Sequence, residues 1–151
     1  MPPAGAELRA RQLESLATLV HERFTDPKVG ELIAACEADP EVAGDPVRSA
    51  NIRELRHDYD KATRLPTSLV AELEKTSSLG MAAWKDARAK SDFAIFLPWL
   101  QKTFDLNRQK AECFGVPAWG NELYDALMDD YEDDVEDEVE TEEDNLVCDN
   151  S

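Results

Sequence analysis

Asp45-Pro46-Val47-Arg48-Ser49-Ala50-Asn51-Ile52-Arg53-Glu54-Leu55-Arg56-His57-Asp58-Tyr59-Asp60-Lys61-Ala62-Thr63-Arg64-Leu65-Pro66 is the stretch whose reading decides the fold. It opens on an aspartate able to accept from free backbone N–H groups, followed by a proline whose fixed φ suits a first helical turn. Ile52, Leu55, Tyr59 and Ala62 then recur at spacings of three and four, which lays them on one side of a helix. Leu65-Pro66 ends the run, because proline disfavours the helical region for the residue before it. Nowhere does the chain alternate convincingly at period two, so the fold class expected is all-α.

The same grammar extends outward in both directions. Towards the N-terminus, Asp26-Pro27 opens a short helix with Val29, Leu32, Ile33 and Cys36 on one face, and Asp39-Pro40 stops it. Before it, Leu13, Leu16, Val20 and Phe24 stripe a helix from about Ala6 to Thr25. Towards the C-terminus, a long helix follows Pro66 with Leu69, Leu73, Gly80, Trp84 and Ala87 on its inner face. Ser91-Asp92 is read as the cap of the next, striped by Phe93, Leu97, Leu100, Phe104, Ala111 and Phe114. Pro98 inside that pattern predicts a kink or a short first segment. Gly115 and Pro117 end it, and Glu122 to Met128 can form one more short helix. The expectation is about five to six helices in an irregular bundle over residues 1–130, with a disordered acidic tail over 131–151.

Charge is distributed unevenly. The chain has 16 Lys and Arg against 33 Asp and Glu, a net charge of −17. Every Lys and Arg lies at or before Lys110, with 17 of the acids, so the first 110 residues carry −1 and the last 41 carry −16. From Asp129 to Asp144, 12 of 16 residues are acidic. Such a run repels itself and cannot bury enough surface to offset chain entropy. No basic stripe suits phosphate contacts, so nucleic acid is excluded as a partner, and anionic membranes for the same reason. The N-terminus lacks a basic segment followed by an apolar one, and no apolar run approaches the ~20 residues a spanning helix needs. Cys36, Cys113 and Cys148 are few, odd in number and widely spaced, a pattern that suits reduced thiols in a cytoplasmic protein.

Candidate chemistry fails residue by residue. His21-Glu22 begins a His-Glu-x-x-His motif, in which two histidines one helical turn apart share a metal. The fifth position is Thr25, and the other histidine, His57, has no histidine partner at four residues; both read as ordinary helix-surface residues. A calcium loop starting at Asp129 would need glycine at its sixth position, where Asp134 stands. Cys36 and Cys113 fall on apolar faces, as small hydrophobes rather than nucleophiles. Phe93, Phe96, Trp99 and Trp84 read as core. No phosphate-cradling glycine loop is present. The expectation is therefore no catalytic, no cofactor-binding and no metal residue in this chain.

Asn51 to Pro66 nevertheless resembles the N-terminal region of the carboxypeptidase Taq family of metallocarboxypeptidases. So do Ala82-Ala-Trp-Lys-Asp-Ala-Arg-Ala-Lys-Ser-Asp-Phe-Ala-Ile-Phe-Leu-Pro98, Leu106-Asn-Arg-Gln-Lys-Ala-Glu112 and Tyr124-Asp-Ala-Leu-Met-Asp-Asp-Tyr-Glu132. The similarity spans roughly Leu8 to Glu132 and breaks off there. It implies an all-helical, usually dimeric enzyme several times longer, which releases C-terminal residues from peptides with a divalent metal, zinc or cobalt. The family's His-Glu-x-x-His helix and its glutamate ligand lie C-terminal to everything matched, and the matched helices form outer walls of the substrate cleft. None of its catalytic or metal residues can be carried onto this sequence. The resemblance thus implies an N-terminal portion, inactive as a peptidase by itself, partnered by a separately encoded catalytic half or by its own copies. The alternative is a stand-alone helical interaction module whose polyanionic tail engages a basic partner or masks a basic surface.

Overall fold

A computed structural model describes residues 5–118 and 120–132. Within them the chain forms seven α-helices, one 3₁₀ turn and no β-strand. The helices are α1 (Ala6–Phe24), α2 (Pro27–Glu37), α3 (Pro40–Ala43), α4 (Pro46–Thr63), α5 (Thr67–Lys90), α6 (Leu97–Phe114) and α7 (Asp125–Glu132). The 3₁₀ turn, Phe93–Ile95, lies between α5 and α6. The all-α expectation holds, and the Asp-Pro starts work as read. Asp26 accepts from the Lys28 N–H at 2.9 Å, and Asp45 accepts from Val47 and Arg48 at 3.0 and 3.2 Å.

Three boundaries differ from expectation. Asp39-Pro40 ends α2 but also starts α3, with the Asp39 carboxylate accepting from the Glu41 N–H at 2.9 Å. Ser91-Asp92 does not cap a long helix. Ser91, in the left-handed region at φ 52°, closes α5, while Asp92 caps only the 3₁₀ turn. Pro98 then falls in the first turn of α6, so the short first segment is the outcome rather than a kink. Tyr131 and Glu132, assigned to the tail, belong to α7. The rest of the tail expectation lies outside the described residues.

The centre of the assembly is α5. Residues Leu69, Leu73, Thr76, Gly80, Ala83 and Ala87 follow one another at alternating steps of four and three, the spacing of a coiled-coil seam. Leu69, Thr76, Gly80 and Ala87 of that row are buried. Against it α1 lies antiparallel: Glu14 pairs with Lys75 at 3.3 Å, and the His21 ring reaches the Leu65 carbonyl just before α5 begins. On the other side α6 runs back antiparallel. Lys102 pairs with Glu72, and the Trp99 Cβ would stand 3.7 Å from a Cβ built on Gly80. A second antiparallel pair, α2 and α4, is pinned by a two-toothed Arg56–Glu37 fork at 2.8 and 2.9 Å. Phe24 meets Tyr59 edge-on at 6.0 Å, joining α1 to α4.

The core this produces is thin. Among the described residues the buried hydrophobic ones are Ala10, Ile33, Leu69, Ala87, Leu106, Ala111 and Ala126, of which four are alanines. The bulky apolar residues go elsewhere. Leu16 and Val20 of the α1 stripe are 56% and 65% exposed, joined on that side by Leu8 and Leu19. On α6, Phe104 is 66% exposed and Leu97 is also open, whereas Leu106 is buried. Each stripe is thus divided: on α1, Leu13 and Phe24 are half-buried while Leu16 and Val20 are open, and on α6, Ala111 is buried and Leu100 half-buried while Leu97 and Phe104 are open.

Candidate functional site

Between the α1 flank, α5 and α6 runs an open groove of about 720 Å³. Leu73, Met81 and Trp84 of α5, Phe96, and Leu106 of α6 supply its apolar wall, and Thr103, Asn107 and Lys110 its polar edge. Two of those polar groups are turned into their own helix. Thr103 Oγ1 donates to the Trp99 carbonyl at 2.8 Å, and Asn107 Nδ2 donates to the Thr103 carbonyl at 2.9 Å. Thr76 is the exception. It is 2% exposed, and its Oγ1 has no hydrogen-bond partner among the described residues. Sequence reading missed this residue because a threonine in a small-residue seam carries no signature of its own. A wall of this kind can hold an apolar side chain or pack a further segment.

The sequence's own candidates separate in space. His21 is not the surface residue expected: it is 9% exposed, with Nε2 3.0 Å from the Leu65 carbonyl. A carbonyl oxygen can only accept, so Nε2 carries the proton in this contact. Its role is to tie the end of α1 to the turn between α4 and α5. Its motif neighbour Thr25 donates through Oγ1 to the His21 carbonyl at 2.7 Å, closing the helix. His57 sits on α4 beside Lys61 and Arg64, lining a small pocket near the end of α6. Cys36 and Cys113 are free thiols, each half-buried rather than fully buried.

A divalent metal needs three or more converging His, Cys, Asp or Glu side chains. No such group occurs among the described residues. With one histidine committed to a backbone carbonyl, the donor set among the described residues does not fit a catalytic metal. No helix among the described residues is long and apolar enough to cross a membrane.

Comparison with known proteins gives this architecture a context. A family match to carboxypeptidase Taq (M32) metallopeptidase covers residues 1–142. Similarity therefore continues ten residues past Glu132, where the sequence reading had it break off. Thermostable carboxypeptidase 1 of Thermus thermophilus is 41% identical over 141 residues, a match covering 87% of this chain and 27% of that protein. Among solved structures, the BsuCP crystal structure superposes with a TM-score of 0.76 at 25% identity, covering 85% of this chain and 25% of the other. The Pyrococcus furiosus carboxypeptidase structure does so at 0.67 and 32%, covering 88% and 26%. The chain spans about a quarter of the length of the relatives it matches.

Proposed function

This chain belongs to the carboxypeptidase Taq (M32) metallopeptidase family, and on that premise we propose that it is the N-terminal, non-catalytic wall of a metallocarboxypeptidase that trims peptides from their C-termini. The observation that carries the reading is the exposure of Leu8, Leu16, Leu19 and Val20 on α1 and of Leu97 and Phe104 on α6. Helices whose largest hydrophobic side chains face away from their own bundle are patterned to be covered. Relatives about four times as long have the material to cover them.

In this reading the chain supplies packing surface and one side of a peptide cleft, lined by Trp84, Phe96 and Leu106. Its part in the reaction is to hold substrate and exclude water. The metal, zinc or cobalt, would be held by residues other than those described, on a polypeptide that carries a complete ligand set. That ligand set would lie in the part of the enzyme that the longer relatives have beyond this match, on the same polypeptide or on a separately encoded catalytic half, with self-association of this chain as the fallback partner, and the setting would be cytoplasmic.

The test is direct. The purified chain is loaded with zinc or cobalt and assayed against blocked dipeptides. No turnover above a metal blank is the expected result. Hydrolysis that follows the protein through purification and requires added metal would overturn the proposal.

A further inference from the structure

Thr76 lies in the buried row of α5 and is the bulkiest fully buried side chain among the described residues, at 2% exposure. Its methyl group belongs in a row with Leu69, Leu73 and Gly80. Its hydroxyl does not, because Oγ1 finds no partner among the described residues. A hydroxyl taken out of water and left unbonded opposes folding.

The bond that would satisfy it is one this chain uses repeatedly. Ser15, Thr18, Thr25 and Thr103 each donate to the carbonyl four residues back, at 2.7 to 2.9 Å. The equivalent acceptor for Thr76 is the Glu72 carbonyl, one turn away on the same helix. Oγ1 does not take it. The internal bond is thus missing at the buried position, where it would matter most.

The surroundings of Thr76 set it apart from an ordinary core hydroxyl. It lines the groove between the α1 flank, α5 and α6, with Leu73 before it and Gly80 after it along the helix. Gly80 has no side chain, and a Cβ built there would meet nothing closer than 3.7 Å. A second main chain can therefore come close to the floor beside Thr76. Trp84, Phe96 and Leu106 supply apolar wall, and the rim groups Thr103 and Asn107 are spent on their own backbone. What the groove offers an incoming chain is apolar surface with one buried, unspent hydroxyl.

We propose that Thr76 is a specificity residue of this groove, an inference that rests on reading the groove as a peptide cleft. The ligand class it selects is an extended peptide segment with a large apolar side chain, one of whose backbone amide groups bonds to Oγ1. The hydroxyl can donate to a peptide carbonyl or accept from a peptide N–H. The bond forms only in the complex, so it favours recognition while its absence weakens the free chain.

The test uses the full chain without metal and the blocked peptide acetyl-Ala-Ala-Phe-Ala-amide as probe. Binding is read from the Trp84 indole N–H resonance, assigned with Trp84→Phe, and stability from urea denaturation. Thr76→Val keeps the shape and removes the hydroxyl. It is expected to weaken binding about 2- to 10-fold, the worth of one hydrogen bond, and to raise the urea midpoint. Thr76→Ser should keep the affinity of the unaltered chain, and serine in place of the probe's phenylalanine should weaken binding several-fold. Equal affinity of the unaltered chain and a folded Thr76→Val would overturn the assignment. So would a lowered urea midpoint in Thr76→Val, or no saturable shift at millimolar peptide. Any of these, without metal-dependent turnover, removes the role of Thr76 and leaves the non-catalytic wall standing. Turnover removes the wall reading whatever the probe does.

Discussion

Gly30 and Gly80 both sit inside helices, yet a methyl group would meet very different neighbours at the two positions. At Gly30 of α2 it would stand 2.8 Å from the Tyr59 hydroxyl oxygen and 2.9 and 3.0 Å from two carbons of its ring, which is already held edge-on by Phe24. Overpacking of that kind costs about 1–3 kcal/mol, against a gain in helix propensity of about 1 kcal/mol. Gly30→Ala is therefore expected to lower stability by about 1 kcal/mol, measured by urea denaturation. At Gly80 of α5 the nearest contact would be an ordinary 3.7 Å to the Trp99 Cβ. Gly80→Ala should raise stability by about 0.5–1 kcal/mol; a loss there would mean the α5–α6 seam has no spare room. Neither outcome can be read from sequence, where both residues look like ordinary glycines in helical patterns. His21 shows the same limit. Its local context suggested surface, and only the distant Leu65 carbonyl gives it a reason to be buried.

On the scale of single helices, the apolar stripes were legible but their direction was not. Residues Leu97, Leu100 and Phe104 make the obvious face of α6, yet Leu106, from another face, packs inward. Leu106→Ala should cost about 2–4 kcal/mol in the same denaturation assay, as large-to-small core changes do. Phe104→Ser should change stability by no more than about 0.5 kcal/mol, and a large loss would show that Phe104 is covered. The α2–α4 pair depends instead on charge. The hydrogen bonds from Arg56 hold the Glu37 carboxyl below its ordinary 4.5 and lift the guanidinium further above its own. A lowered acid pKa contributes stability that is complete above the unfolded value and is lost as pH falls through the folded one. Melting temperatures followed downward from neutral pH should therefore show an acid-limb loss below 4.5 that is smaller in Arg56→Leu. Glu37 is open to solvent and Arg56 only half-buried, so screening will keep the difference modest. Parallel acid limbs in the two proteins would remove the fork from the account. The helix starts belong to the legible part, because an Asp-Pro pair acts on its own neighbours. Two starts escaped: α3, a single turn too short to carry a periodicity, and that of α6, which begins at Leu97 beyond the 3₁₀ turn that Asp92 caps.

For the molecule as a whole, a core in which four of seven buried hydrophobic residues are alanine sits beside open apolar stripes on α1 and α6. Exposed faces of that kind bind hydrophobic dyes and promote association. The chain alone is expected to enhance anilinonaphthalenesulfonate fluorescence at neutral pH while keeping its helical far-ultraviolet signal. A dark, helical sample would show those faces to be covered. Sequence by itself determined the longer helices, their Asp-Pro caps, the near neutrality of the body beside a strongly acidic end, and the family resemblance. These follow from near-neighbour chemistry and from order along the chain, both of which a sequence carries intact. The tertiary structure decided which face of each helix turns inward, that His21 is buried against a distant carbonyl, and that Lys61, Arg64 and Lys110 from two helices meet Phe114. Those outcomes depend on groups far apart in sequence meeting in space, and on which apolar surface finds a partner within this chain. An amphipathic pattern marks what a helix will bury; whether this chain or another polypeptide buries it depends on what is there to pack against.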